Sequence, residues 1–267
     1  MMVDTHRITT GAGHGLCISR REGAGLPVLF LNSFAADHTM WDAVRARMGR
    51  TTIAYDARGH GASDVAGHDL TVADLAADAK AVIAAEGLRD VVLCGLSLGG
   101  LTAMALAADP SVSVRGLVLA NTAVNFPPAS MWQDRAKTVL SGGYSGLIEP
   151  TLERWLTEGW RASHPEELAR ARAMLESMPP QGYADACAAL ASADTSAELA
   201  GWAGPTLIIA GAHDASSPVA RAEEMRGIAQ DARLVVLDAA HVSAIEAPEA
   251  FAHALEGFVA ELEATHA

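Results

Sequence analysis

Residues 91–100 read Val91-Val92-Leu93-Cys94-Gly95-Leu96-Ser97-Leu98-Gly99-Gly100. The continuous apolar run Val91–Cys94 predicts a strand buried on both faces. Leu98 to Ala108 follows with a helical pattern, stopped by Asp109-Pro110. Between strand and helix lies Gly-x-Ser-x-Gly. The string alone is a weak signal, and its strand–turn–helix setting gives it weight. A turn this tight holds Ser97 in strained backbone geometry, so glycine is needed on either side to avoid clashes. Gly100 lets the helix pack close to the strand. Ser97 Oγ then stands at the top of a sheet, above a helix N-terminus that offers partial positive charge.

Working outward, short apolar runs bounded by turn residues recur at Val28–Leu31, Thr52–Tyr55, Leu117–Ala120, Leu207–Ala210 and Leu234–Leu237. All read as strands buried on both faces. Val3 to Thr9 and Leu16 to Ser19 flank a Gly-rich turn and predict a hairpin. Helical patterns alternate with these runs. Thr71 with Asp74 forms a capping-box start, followed by an apolar stripe through Leu75, Ala79, Val82 and Ile83. Pro248 opens a final helix with Phe251, Leu255, Phe258, Val259 and Leu262 on one face. Strand alternating with helix predicts an α/β fold, a mostly parallel central sheet flanked by helices. The alternation breaks once, from about Asn125 to Ser196, where prolines cut the chain into about four helices. We read 125–196 as a helical cap (lid) domain over the carboxyl edge of the sheet, and 1–124 with 197–267 as the core domain.

A serine hydroxyl needs a base to act as a nucleophile near neutral pH, and the base needs an orienting acid. Asp214 follows the Leu207–Ala210 strand and His241 follows the Leu234–Leu237 strand. Both therefore fall on the same sheet edge as Ser97, in the chain order Ser, acid, His. His213 and Asp238 are the rivals for base and acid. His60, within Arg58-Gly59-His60-Gly61, reads as the residue that fixes a tight turn. An oxyanion hole is also required. The backbone N–H of Leu98 supplies one donor, and that of Phe34, in the loop after Val28–Leu31, supplies the other. No metal-ligand spacing, dinucleotide fingerprint or Walker pattern is present.

The chain has 267 residues, half of them hydrophobic and 19% charged, which excludes disordered and fibrous classes. The 32 acidic residues outnumber 19 basic ones, for a net charge of −13. That field opposes binding to nucleic acid or anionic membranes. Cys17, Cys94 and Cys187 are odd in number and widely spaced, and read as buried thiols in a reducing compartment. No secretory leader and no apolar run of about 18 residues appears, so a cytoplasmic protein is expected. A homo-oligomer remains open.

These pieces resemble the α/β-hydrolase superfamily over nearly the whole chain. Within it they look like the 3-oxoadipate enol-lactonases of the β-ketoadipate pathway. Tyr55 to Asp64 (Tyr-Asp-Ala-Arg-Gly-His-Gly-Ala-Ser-Asp) and the Ser97 turn mark the superfamily. Asn32-Ser33, Cys94, Asn121-Thr122 and the stretch around Tyr183 are more particular to the enol-lactonases. Phe34-Ala35 departs from the small Leu-Gly pair more common there, which implies a reshaped pocket mouth. The resemblance implies a five-membered enol-lactone bearing an acetate group, opened through an acyl-enzyme on Ser97 with no cofactor. The substrate carboxylate then needs a local cation in so acidic a protein. Arg135, three residues after Trp132 on one helix face, is the candidate, with Trp132 beside it. The competing readings are a general carboxylesterase, another lactonase or a cofactor-free haloperoxidase on the same scaffold. Further off stand a C–C bond hydrolase and a receptor that keeps the triad.

Overall fold

The computed structural model describes residues 3–265. Its eight strands are β1 (Val3–Thr9), β2 (Gly15–Arg21), β3 (Val28–Leu31), β4 (Thr52–Tyr55), β5 (Val91–Leu96), β6 (Val114–Ala120), β7 (Thr206–Gly211) and β8 (Ala232–Leu237). They form one sheet in the order β1-β2-β4-β3-β5-β6-β7-β8. The hairpin β1–β2 and the β2–β4 pair are antiparallel, and every later pair is parallel. Strands β3, β4, β5 and β7 are buried along their whole length, as continuous apolar runs require. Strand β8 differs from the expectation. It lies at one edge of the sheet, opposite β1, and Val236 is 47% exposed. An apolar run cannot announce which strand ends at the edge.

Between the strands lie α1 (Asp42–Arg45), α2 (Val72–Ala85) and α3 (Leu98–Ala107). Thr71 and Asp74 form the expected capping box of α2. After β6 come α4 (Ala129–Gly142), α5 (Ile148–Trp155), α6 (Glu158–Ser163), α7 (Pro165–Ser177), α8 (Pro180–Ser192) and α9 (Ser196–Gly201). Between residues 125 and 196 that makes five helices among the described residues, with α9 only beginning at Ser196, where the prolines suggested four. Pro165 and Pro180 each open a helix, whereas Pro150 sits inside the first turn of α5. A proline there breaks nothing, because first-turn N–H groups have no intrahelical acceptor. The remaining helices are α10 (Val219–Ile228), α11 (Ser243–Glu246) and α12 (Pro248–Ala264).

The helices after β6 are tied to the sheet layer at two places. Gly59 and Gly182 meet backbone to backbone, so a Cβ on Gly59 would stand 2.6 Å from Gly182 Cα. Beside them the buried Asp185 accepts the Gly67 N–H on its carboxylate (3.1 Å) and the Leu70 N–H on its carbonyl (3.2 Å). At the other end, the Trp155 carbonyl accepts the Val242 N–H (3.0 Å), and Glu246 accepts the N–H groups of Thr157 (3.1 Å) and Ala240 (2.7 Å). These contacts fix α5 against the loop that carries His241.

Candidate active site

Ser97, Asp214, His241 and Phe34 follow the carboxyl ends of β5, β7, β8 and β3, which lie on one edge of a parallel sheet. At the turn after β5, Ser97 has φ 57° and ψ −115°, a conformation costing about 1–3 kcal/mol. The neighbouring backbone holds it there. A Cβ on Gly95 would lie 2.1 Å from Gly99 O, and one on Gly99 would lie 2.0 Å from Leu31 O. The Ser97 N–H donates to Ala120 O (3.0 Å), and the Thr122 hydroxyl donates to Ser97 O (2.7 Å).

The side chain so presented meets the two residues expected of it. His241 Nε2 lies 3.0 Å from Ser97 Oγ, and His241 Nδ1 lies 2.9 Å from Asp214 Oδ2. All three residues are at most 5% exposed. Asp214 also accepts the N–H groups of Ser216 (2.8 Å) and Ser217 (3.0 Å), the Ser217 hydroxyl (2.7 Å) and the Asn121 amide (3.0 Å). Burial alone would push its carboxyl pKa up. The adjacent imidazole and the Ser217 hydrogen bonds outweigh burial and bring it down to about 2. Asp214 is therefore held as a carboxylate pointing at the imidazole. The rivals behave differently: His213 and Asp238 pair with each other at 2.8 Å, on exposed surface.

The N–H groups of Leu98 and Phe34 take part in no hydrogen bond among the described residues. Both are free to receive a negative oxygen. The loop bearing Phe34 is fastened from below. Ala35, at φ 62°, donates its N–H to His60 Nε2 (3.1 Å), while His60 Nδ1 donates to Arg58 O (3.0 Å). His60 thus holds its own turn, donating its N–H to Ala57 O (2.9 Å), and also ties that turn to the Phe34 loop; burial pushes its pKa down. The Trp41 indole donates to Asn32 Oδ1 (2.9 Å), and the Asn32 amide donates to Tyr55 O (2.8 Å).

A cavity of about 690 Å³ opens above these groups. Ser97 and His241 lie in its wall with Phe34, Trp132 and Arg135. Phe34 packs on Tyr183 (4.5 Å) and edge-on to Trp132 (5.7 Å) in the cavity wall. The Trp132 indole donates to Phe126 O (2.7 Å), and the Arg135 guanidinium lies over its ring at 5.4 Å.

Sequence reading missed several residues. Asn121, at φ 44°, donates its amide to Asp214 and to Ala240 O (3.1 Å) and accepts the Ser243 hydroxyl. In the sequence it stands out only as a mark of the resemblance. Arg154, on α5, also lines the cavity, and no spacing signal pointed to it. Ser33 lines the cavity too, and its buried hydroxyl has no hydrogen-bond partner among the described residues. Away from the cavity, Cys17, His38 and Asp56 bring their ligand atoms within 4.8 Å, a grouping their separation along the chain concealed. Hydrogen bonds account for it: Asp56 accepts His38 N–H (2.7 Å), His38 Nδ1 (2.8 Å) and Ala62 N–H (2.9 Å).

The family model described as alpha/beta hydrolase fold matches residues 27–248. The chain belongs to the α/β-hydrolase family. Among curated proteins it is similar to 3-oxoadipate enol-lactonase 1 of Acinetobacter baylyi, at 33% identity over 94% of this chain and 98% of that one. Among solved structures, the enol-lactonase from Burkholderia xenovorans superposes with a TM-score of 0.92 at 30% identity, covering 96% of this chain and 100% of that one. A thermophilic esterase from Thermogutta terrifontis, with malate bound, gives 0.91 at 31% identity over 97% of this chain and 99% of that one. This α/β-hydrolase thus has near-full-length likeness to both lactone and ester hydrolases. No helix among its described residues is long and apolar enough to cross a membrane.

Proposed function

We propose that this hydrolase opens 3-oxoadipate enol-lactone to 3-oxoadipate in the cytoplasm, as a step of the β-ketoadipate pathway. The observation that carries the chemistry is the relay Ser97 Oγ, His241 Nε2, His241 Nδ1, Asp214 in the cavity wall, with links of 3.0 and 2.9 Å. Ser97 Oγ attacks the lactone carbonyl as His241 Nε2 takes its proton, and Asp214 stabilises the imidazolium. The Phe34 and Leu98 amides receive the oxyanion. Collapse breaks the ring C–O bond. The departing enolate takes the proton from His241 and tautomerises to the ketone. A water molecule deprotonated by His241 then attacks the acyl carbonyl, and Ser97 leaves with the proton. The helices of residues 125–196 act as the cap, and Trp132 with Arg135 receives the substrate carboxylate. Names of relatives support the lactone; the near-equal likeness to an esterase favours a second reading, a general carboxylesterase or another lactonase.

The test is lactone opening followed by ultraviolet absorbance, with Ser97→Ala in parallel. A kcat/KM of about 10⁵ M⁻¹s⁻¹ or more, lost in the variant, is expected. Faster turnover of simple esters than of the lactone would move the assignment to the second reading.

A further inference from the structure

Arg154 and Arg135 reach the cavity from different helices and converge on one hydroxyl. Arg135 Nη2 donates to Thr151 Oγ1 at 3.2 Å, and Arg154 Nη2 donates to the same oxygen at 3.1 Å. Each guanidinium carries five N–H donors. These two bonds are the hydrogen bonds either makes among the described residues, and no carboxylate there lies within ion-pair distance of either. Both side chains are half-buried. Burial and the neighbouring Arg135 charge together lower the Arg154 pKa. Two like charges, partly desolvated and without counter-ions, are unfavourable as they stand. Arg221, also in the cavity wall, is different: it pairs with Glu224 (2.9 Å) and with Asn125.

We infer that Arg135 and Arg154 form a two-arginine clamp for a carboxylate at the far end of the acyl chain, with Arg154 as a specificity-determining residue. The clamp makes the enzyme selective for acid-bearing esters and lactones over neutral ones. This rests on Ser97 being the nucleophile of the proposed reaction. A carboxylate offers two oxygens with about four lone-pair sites and can take both forks, which a single arginine cannot saturate. Its charge also offsets the repulsion between the guanidiniums. The geometry is preorganised. Trp132 stacks on Arg135, and the Trp155 carbonyl at the end of α5 accepts the Val242 N–H, next to the base. The clamp and Ser97 are thus held in one rigid wall, which selects the chain length between ester carbonyl and terminal acid.

The experiment compares mono(4-nitrophenyl) adipate with 4-nitrophenyl hexanoate, esters of equal chain length that differ in the terminal carboxylate. We expect the native protein to favour the adipate ester in kcat/KM. Arg154→Gln should lower that preference at least 10-fold. Arg135→Gln should do the same, and Arg154→Lys should restore part of it. An equal loss on both esters in Arg154→Gln, or an unchanged preference, would overturn the clamp. Absence of turnover of either ester by the native protein, or turnover that survives Ser97→Ala, would instead count against the serine reaction itself.

Discussion

Asn121 offers the sharpest quantitative test of how the relay is held. It is 1% exposed and its backbone sits at φ 44°. Replacing it by glycine removes three hydrogen bonds at once. Asp214 Oδ2 keeps the Ser217 hydroxyl and His241, so it is not orphaned. The Ala240 carbonyl and the Ser243 hydroxyl each lose the hydrogen bond that holds them. A buried polar group left without a partner costs about 1–3 kcal/mol, so two such groups predict a loss of roughly 2–6 kcal/mol for Asn121→Gly. Asn121→Ala should lose about 1 kcal/mol more, because asparagine and glycine tolerate positive φ and alanine does not. The assay is urea unfolding at 25 °C, with the m-value checked for constancy. In both variants the loop from Ala240 to Ser243, which carries His241, loses its tie to β6. A lower kcat with a smaller change in KM is therefore expected. A loss below about 1 kcal/mol for Asn121→Gly, or an alanine variant more stable than the glycine one, would refute the reasoning.

Ser33→Ala should leave stability unchanged or raise it by up to about 1 kcal/mol, because the hydroxyl it removes is buried without a partner. Calorimetry checks this, and a fall in Tm of more than about 3 °C would mean that the hydroxyl has a partner. His60 bears on pH. Its pKa is lowered by burial, so stability from its neutral form is complete above the ordinary imidazole value. It is lost as pH falls through the lower folded value, because the unfolded chain binds a proton that the folded chain refuses. The drop in Tm between about pH 7.5 and about pH 5.5 should therefore be smaller in His60→Gln, whose amide oxygen can still accept the Ala35 N–H. An equal drop would show that His60 is not held neutral.

The parts legible in the sequence share a physical character. The strand cores of β3, β4, β5 and β7, the capping box of α2 and the turn at Ser97 depend on periodicity and sterics within about ten residues. Local composition therefore carries them. Asp214 and His241 were also legible, because chain order and position after a strand suffice to bring them to Ser97's edge once the strands are parallel. Strand β8 was misread as doubly buried and the helices after β6 were undercounted. Exposure of an edge, and extended residues such as Leu156 at the end of α5, leave no mark in composition.

Tertiary structure alone decided which further polar groups meet around Ser97, Asp214 and His241. Asn121 reaches Asp214 across 93 residues, and the Ser243 hydroxyl reaches Asn121 across 122. Arg154 looks like any arginine on an amphipathic helix until α5 is seated against Val242 and α4 brings Arg135 to the same hydroxyl. Sequence determined the backbone turn, the layering of helices on a parallel sheet and which side chains fall on the edge beside Ser97, because local sterics and hydrophobic period specify them. The hydrogen bonds that hold the acid, the free amides over Ser97 and the two unpaired cations depend on sheet register and helix docking. Those are set by packing between segments distant in the chain, where no local pattern is written.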